Sequence, residues 1–262
     1  MKIFLRFIGA LFLLLILVIG GVALTLEASL PTNAIDLRPM SKTPITSEAT
    51  SILIFGATRN TGLMVARLLE ARGENVTAFV RPVSDTTELK KIGVELVVGD
   101  AMDIATVQAA FEGRDYEAVL TTIGCLSCVP PSDYQANANV IKAAMQAGVR
   151  RLVLVTSIGS GDSLAAVPAL SARFLAKTIP LKTHAEEDLR ASGLEYTIIR
   201  PGGLRSGRRT GHGTLSEDRD VFGYIFREDL AELIVSVFDD SATIGKTLAA
   251  VDAYRRFPWD NE

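Results

Sequence analysis

Between Ser51 and Val251 short β-rich apolar runs alternate with segments of helical period, and this alternation limits the possible folds more than any other feature. The runs are Ile52–Phe55, Val76–Val80, Glu95–Val98, Ala118–Thr122, Leu152–Thr156, Tyr196–Ile199 and Thr247–Val251. Between them lie helix-like segments, each followed by a glycine suited to a helix stop: Leu63–Ala71 before Gly73, Ile104–Phe111 before Gly113, Ala138–Ala147 before Gly148, and Thr183–Ala191 before Gly193. Strand–helix–strand repetition requires crossover connections, hence a parallel sheet covered on both faces. The uninterrupted Val, Ile and Leu runs agree, because a strand buried on both faces has no need to alternate. The expectation is a single α/β domain over residues 51–252 with a doubly wound parallel sheet of Rossmann type, followed by a tail at 253–262.

The 262 residues carry a formal net charge of −3, so no basic surface invites nucleic acid. Two cysteines supply no disulfide framework for the fold. Hydropathy is concentrated at the amino end, where Phe7 to Leu26 contains no charge. About 20 apolar residues at 1.5 Å each span roughly 30 Å, one hydrocarbon thickness. The run exceeds the core of a signal peptide, about 7–15 residues, and lacks a clean small-residue cleavage site. Residues 1–26 are therefore expected to be an uncleaved single-pass membrane anchor rather than a signal segment. Lys2 and Arg6 lean toward an external main domain, weakly, because Arg38 and Lys42 follow the run. Residues 27–50, polar with three prolines, read as a linker.

Ligands of doubly wound sheets bind beyond the carboxyl ends of the strands. After the first strand comes GATRNTG, Gly56 to Gly62. Gly56 suits the tight turn, and Gly62 lets the helix approach the strand and bring its N-terminus to a pyrophosphate. The middle glycine of such a turn is missing. In the register G-x-x-x-G-x-G only Asn60 departs, and asparagine is among the few residues that tolerate positive φ. Arg59 is then free to meet a phosphate. The second strand ends Phe79-Val80-Arg81-Pro82, without the acid that usually binds the ribose hydroxyls of NAD. An acid would repel a 2′-phosphate, whereas Arg59 and Arg81 can clamp one, so the turn reads as tuned for NADP(H) over NAD(H). Such a cofactor favours a cytoplasmic domain, against the weak external lean of the charges around the apolar run.

GATRNTG, AFVRP, VVGDAMD, NVIKAAMQAGVRRLVLVTSIGSG, KTHAEEDLRASGLEYTIIRPGGL and FREDLAELIV occur in one order over nearly all of Ile52–Val251. As a set they resemble the atypical short-chain dehydrogenase/reductases, in particular the NmrA-like and flavin-reductase-like NAD(P)-binding proteins. The resemblance implies that Gly56, Thr58, Arg59, Asn60, Thr61 and Gly62 line the pyrophosphate turn and that Arg81 meets the 2′-phosphate. It places Asp100 and Ala101 at the adenine, Thr122 and Gly124 at the nicotinamide-side ribose, Ser157 against the nicotinamide, and Pro201, Gly202 and the residues to Leu204 at the carboxamide and substrate.

Many reductases of this superfamily use a Ser with a Tyr and a Lys four residues apart on one helix. Ser157 matches the Ser and Lys182 the Lys, which makes these two the candidate catalytic pair. Thr178 stands where the Tyr would be, and no Tyr-x-x-x-Lys occurs in the chain. Pro180 between the two positions places Lys182 in a first helical turn and Thr178 at or before the cap. Lys182 faces the unfavourable end of a helix dipole there, so it is expected either to pair with Glu186 or to bind the cofactor. Two functions of different class remain open. One is hydride transfer from NADPH to a flavin- or quinone-like acceptor that takes its proton from water. The other is NADP(H) binding without turnover in a regulatory or complex-assembly protein.

Cys125 and Cys128 form a C-x-x-C after the fourth strand. They read as two loop thiols, with a redox-active pair as the alternative. Zinc would need these cysteines with His184 and His212, whose spacing fits no finger, so no metal site is expected. His184 is expected on an exposed helix face. Tyr134 is a possible substitute acid or a packing residue, and Arg205–Asp220, with Arg208 and Arg209, a substrate lid or a solvated loop.

Overall fold

The computed structural model describes Leu15, Gly21, residues 26–35 and 49–255, Phe257 and Trp259. Ten strands follow in order: β1 (Ser51–Phe55), β2 (Asn75–Val80), β3 (Glu95–Val98), β4 (Ala118–Thr121), β5 (Arg151–Val155), β6 (Glu195–Pro201), β7 (Gly203–Arg205), β8 (Gly213–Ser216), β9 (Tyr224–Phe226) and β10 (Lys246–Asp252). Eight form one sheet in the order β3-β2-β1-β4-β5-β6-β10-β8, parallel except for β8, which runs against β10. β7 and β9 make a small parallel ribbon beyond the carboxyl end of the sheet. The chain turns from β3 back across to β4 on the other side of β1, so the switch point lies between β1 and β4.

The helices are α1 (Asn60–Ala71), α2 (Thr87–Lys91), α3 (Ile104–Ala109), α4 (Gln135–Gln146), α5 (Ala169–Leu175), α6 (Ile179–Ala191) and α7 (Arg227–Asp239). β1 shows why its sequence is apolar from Ile52 to Phe55. Ile52 and Ile54 pack on one face with Val65 and Leu69 of α1 and Leu230 and Ile234 of α7. Leu53 and Phe55 pack on the other with Val107 of α3, Val140 of α4 and Leu189 of α6. All four β1 side chains are fully buried. Each contributes about 1.5–3 kcal/mol of transfer free energy. The seven strands and four helices read from the sequence are all present, with ends shifted by a few residues.

The remaining elements differ from the sequence reading. Residues 205–220 are not a lid. They include β8, and the preceding loop is tied down where Thr210 and Gly211 donate backbone N–H bonds of 2.9 and 2.8 Å to Asp229, in the first turn of α7. Arg209 pairs with Glu232. Nor is all of 27–50 a free linker. Phe222 N–H donates to the Ser29 carbonyl at 3.0 Å, Ile35 N–H to the Leu215 carbonyl at 2.7 Å, and Thr32 and Asn33 donate to Asp218. This segment covers part of the β8 edge, which would otherwise expose unpaired backbone groups. Among the described residues no helix is long and apolar enough to cross a membrane. The expected anchor over residues 1–26 lies almost wholly outside the described residues.

Candidate cofactor-binding site

Glycine geometry explains the first turn. Gly56 has φ +86°, and a Cβ there would fall 2.6 Å from Thr122 Oγ1. A Cβ on Gly62 would fall 2.2 Å from the Gly56 carbonyl oxygen, so only glycine lets α1 lie this close to β1. Asn60 opens α1 with φ +52°, the one non-glycine residue at positive φ among those described. Asparagine thus occupies the conformation that the missing glycine would have taken. Arg59 caps α1 in extended conformation with no side-chain hydrogen bond, leaving its guanidinium to solvent.

This turn floors a cavity of about 1200 Å³ that runs along the carboxyl ends of β1 to β6. It is lined by every residue proposed from the sequence for the cofactor or the catalytic pair: Gly56, Thr58, Arg59, Asn60, Thr61, Gly62, Arg81, Asp100, Ala101, Thr122, Gly124, Ser157, Lys182, Pro201 and Gly202. At one end Arg59 and Arg81 are exposed and form no ion pair among the described residues. At the other end Ser157 Oγ is buried without a hydrogen-bond partner. A cradle of bare glycine backbone, two free cations and an orphaned hydroxyl fit a dinucleotide that carries phosphate at one end and a polar ring at the other.

Of the two expectations for Lys182, the ion pair is not met, while the residue does line the cavity. It does not pair with Glu186. Its Nζ lies 2.9 Å from Asp133 Oδ1, and Asp133 Oδ2 accepts the Cys125 N–H at 3.0 Å. Glu186 is fully buried and belongs to Arg200, Arg190 and Thr156 (2.6, 3.0 and 2.7 Å). Thr178 caps α6 and Pro180 sits in its first turn, as the sequence indicated.

Sequence reasoning missed Asp133, which follows a proline pair in a loop with no periodic signal. It also missed Tyr224, the one tyrosine among the cavity-lining residues. The Tyr224 hydroxyl donates to the Leu26 carbonyl at 2.7 Å, and burial raises its pKa. Tyr134 is no substitute acid. It lies outside the cavity, its hydroxyl is held by Asp188, which raises its pKa, and its ring meets that of His184 edge-on at 5.8 Å. His184 is on the exposed face and bonds Glu187, and no group of three potential metal ligands occurs among the described residues.

The two cysteines are not free thiols. Cys125 and Cys128 form a disulfide with a Cα–Cα distance of 5.5 Å, and both line the cavity. Beyond them the wall becomes apolar, with Ile158, Val167, Phe174, Leu175, Leu204 and Phe222. Leu126, Val129 and Phe174 at the rim are 65%, 96% and 73% exposed. Arg205, Arg208 and Arg209 do not reach the cavity.

A family model described as NAD(P)H-binding matches residues 56–241. An uncharacterized sugar epimerase of Bacillus subtilis, YhfK, is 28% identical over 73% of this chain and 89% of that relative. The NAD(P)H azoreductase of Xenophilus azovorans is 30% identical over 58% of this chain and 47% of that enzyme. Among solved structures, ChuY, an anaerobilin reductase of Escherichia coli O157:H7, superposes with a TM-score of 0.72 at 31% identity, covering 81% of this chain and all of that one.

Proposed function

From the membership of this chain in the NAD(P)H-binding family, as an atypical short-chain dehydrogenase/reductase-like protein, we propose a reductase that prefers NADPH to NADH and serves a flavin- or quinone-like acceptor. The observation that carries this reading is the two-ended cavity. Free cations stand where a 2′-phosphate would lie, and an apolar wall stands where the acceptor would lie. NADPH, when bound, supplies a hydride. The chain's own part is to bind and orient. Arg59 and Arg81 hold phosphate, the Gly56–Gly62 turn cradles the pyrophosphate with backbone N–H groups, and Ser157 Oγ donates to the ring end or the acceptor. The apolar wall excludes water from the second ring, so proximity and orientation carry the rate.

Among the described residues no side chain in the cavity is a free proton donor of phenol type, because Tyr224 is committed to Leu26. This favours an acceptor whose reduced ring takes its proton from water over a simple ketone. Leu26, the last residue of the uncharged run, also lines the cavity. A tether formed by that run would hold the mouth near a bilayer and favour a lipid-soluble ring. Full-length protein should oxidise NADPH faster than NADH when a flavin or a quinone is supplied. Tight NADPH binding with no acceptor-dependent oxidation would instead favour the non-catalytic regulatory reading.

A further inference from the structure

The role proposed for the cavity uses neither sulfur of the Cys125–Cys128 disulfide, yet that disulfide sits in its wall. The loop that carries it is held firmly at both ends. Asn137 Nδ2 donates to the Ile123 carbonyl at 3.2 Å and to the Asp133 carbonyl at 2.8 Å, and the Cys125 N–H is bound by Asp133. Between these ties, no hydrogen bond or ion pair among the described residues joins 126–131 to the rest of the domain. Leu126 and Val129 project into solvent, as does Cys128, while Cys125 is half-buried. The outer loop is therefore fixed to its anchored base chiefly by one S–S bond. Of its two cysteines, Cys128 is the more exposed.

We propose that Cys125–Cys128 is a thiol-exchangeable modification site that controls the cavity wall. Reduction by a low-molecular-weight thiol frees residues 126–131 and weakens binding in the cavity. A thiolate attacks the exposed Cys128 Sγ, the S–S bond breaks, and Cys125 leaves as the thiolate. The resulting mixed disulfide on Cys128 is resolved by a second thiol, which releases the small-molecule disulfide. Two thiols are oxidised, the protein disulfide is reduced, and their two protons end on Cys125 and Cys128. The effect on binding rests on the cofactor reading above, whereas the exchange does not.

The test uses the full chain, purified without reductant and equilibrated in glutathione redox buffers. Alkylation and mass spectrometry count free thiols. Limited proteolysis follows cleavage within residues 126–131, and calorimetry measures NADPH affinity in the oxidised and reduced forms. Expected are no free thiols at the start, reversible reduction, loop cleavage faster by fivefold or more, and NADPH affinity lower by threefold or more. A Cys125→Ser/Cys128→Ser variant should match the reduced form and ignore reductant. In single variants, the Cys128 left by Cys125→Ser should take up glutathione at least tenfold faster than the Cys125 left by Cys128→Ser. Free thiols at the start, a disulfide that resists the buffers, or loop cleavage and affinity unchanged by reduction would overturn the proposal. If neither form binds NADPH while the loop still responds, the cofactor reading falls and the exchange site stands.

Discussion

Lys182 Nζ lies 2.9 Å from Asp133 Oδ1, and this pair joins the first turn of α6 to the loop after β4 across the cavity. Asp133 is 1% exposed, so little solvent reaches its carboxylate. Lys182→Met leaves a buried carboxylate oxygen without its partner, at a cost of about 1–3 kcal/mol. Adding Asp133→Asn should recover part of that loss. Urea unfolding of both single variants and the double variant gives the coupling energy, and strict additivity would mean that the pair is incidental.

The exposed guanidiniums of Arg59 and Arg81 face the end of the cavity where a 2′-phosphate would sit. A hydrogen bond to a charged group contributes about 1.5–3 kcal/mol, so each change to alanine should weaken NADPH binding by roughly 10- to 100-fold. NADH binding should move by less than about threefold. Calorimetric titration with both nucleotides decides it, and an equal loss for the two would leave no role in phosphate selection.

The glycine cradle is sensitive in a position-specific way. Gly62→Ala drives a methyl into the Gly56 carbonyl oxygen, 2.2 Å away, and should cost at least about 2 kcal/mol as α1 is pushed from β1. Asn60→Gly keeps the φ of +52° without strain and should be near neutral, whereas Asn60→Val should lose about 1–2 kcal/mol. Thermal unfolding ranks the three. An Asn60→Val protein as stable as the parent would argue against the left-handed turn.

The sheet and the cradle were legible because their causes are local. β1 is apolar from Ile52 to Phe55 because both its faces are buried there, and a helix entering at a bare strand end needs glycine or asparagine. The missed features have causes distant in sequence. Lys182 has an acid one turn away in Glu186, which local spacing favours, but Arg200 already holds that acid from the neighbouring strand β6. β8 is short, and its pairing with β10 follows from the docking of residues 210–211 on Asp229. A C-x-x-C spacing suits free thiols and a disulfide equally. The contact of Leu26 with Tyr224 joins residues 198 positions apart.

That contact yields a mechanistic prediction. The phenol of Tyr224 is spent on a carbonyl, and burial raises its pKa. Tyr224→Phe should lower acceptor-dependent NADPH oxidation by less than about twofold while costing about 1 kcal/mol of stability for the lost bond. A drop of tenfold or more in kcat with unchanged NADPH affinity would make Tyr224 the proton donor and would reopen carbonyl substrates.

Docking of the 26–35 segment is acid-labile through one carboxylate. Asp218 accepts from the Asn33 side chain and from the backbone N–H groups of Asn33 and Thr32, and these bonds lower its pKa from 3.8 to about 2. The folded state therefore binds this proton less readily than the unfolded chain. The stabilisation is complete above about pH 4 and is lost as pH falls toward 2. Asp218→Asn removes the titration, so the gap in melting temperature between parent and variant should be widest at pH 5 and should close by pH 2. A gap that stays constant across that range would show that the carboxylate charge does not hold the segment.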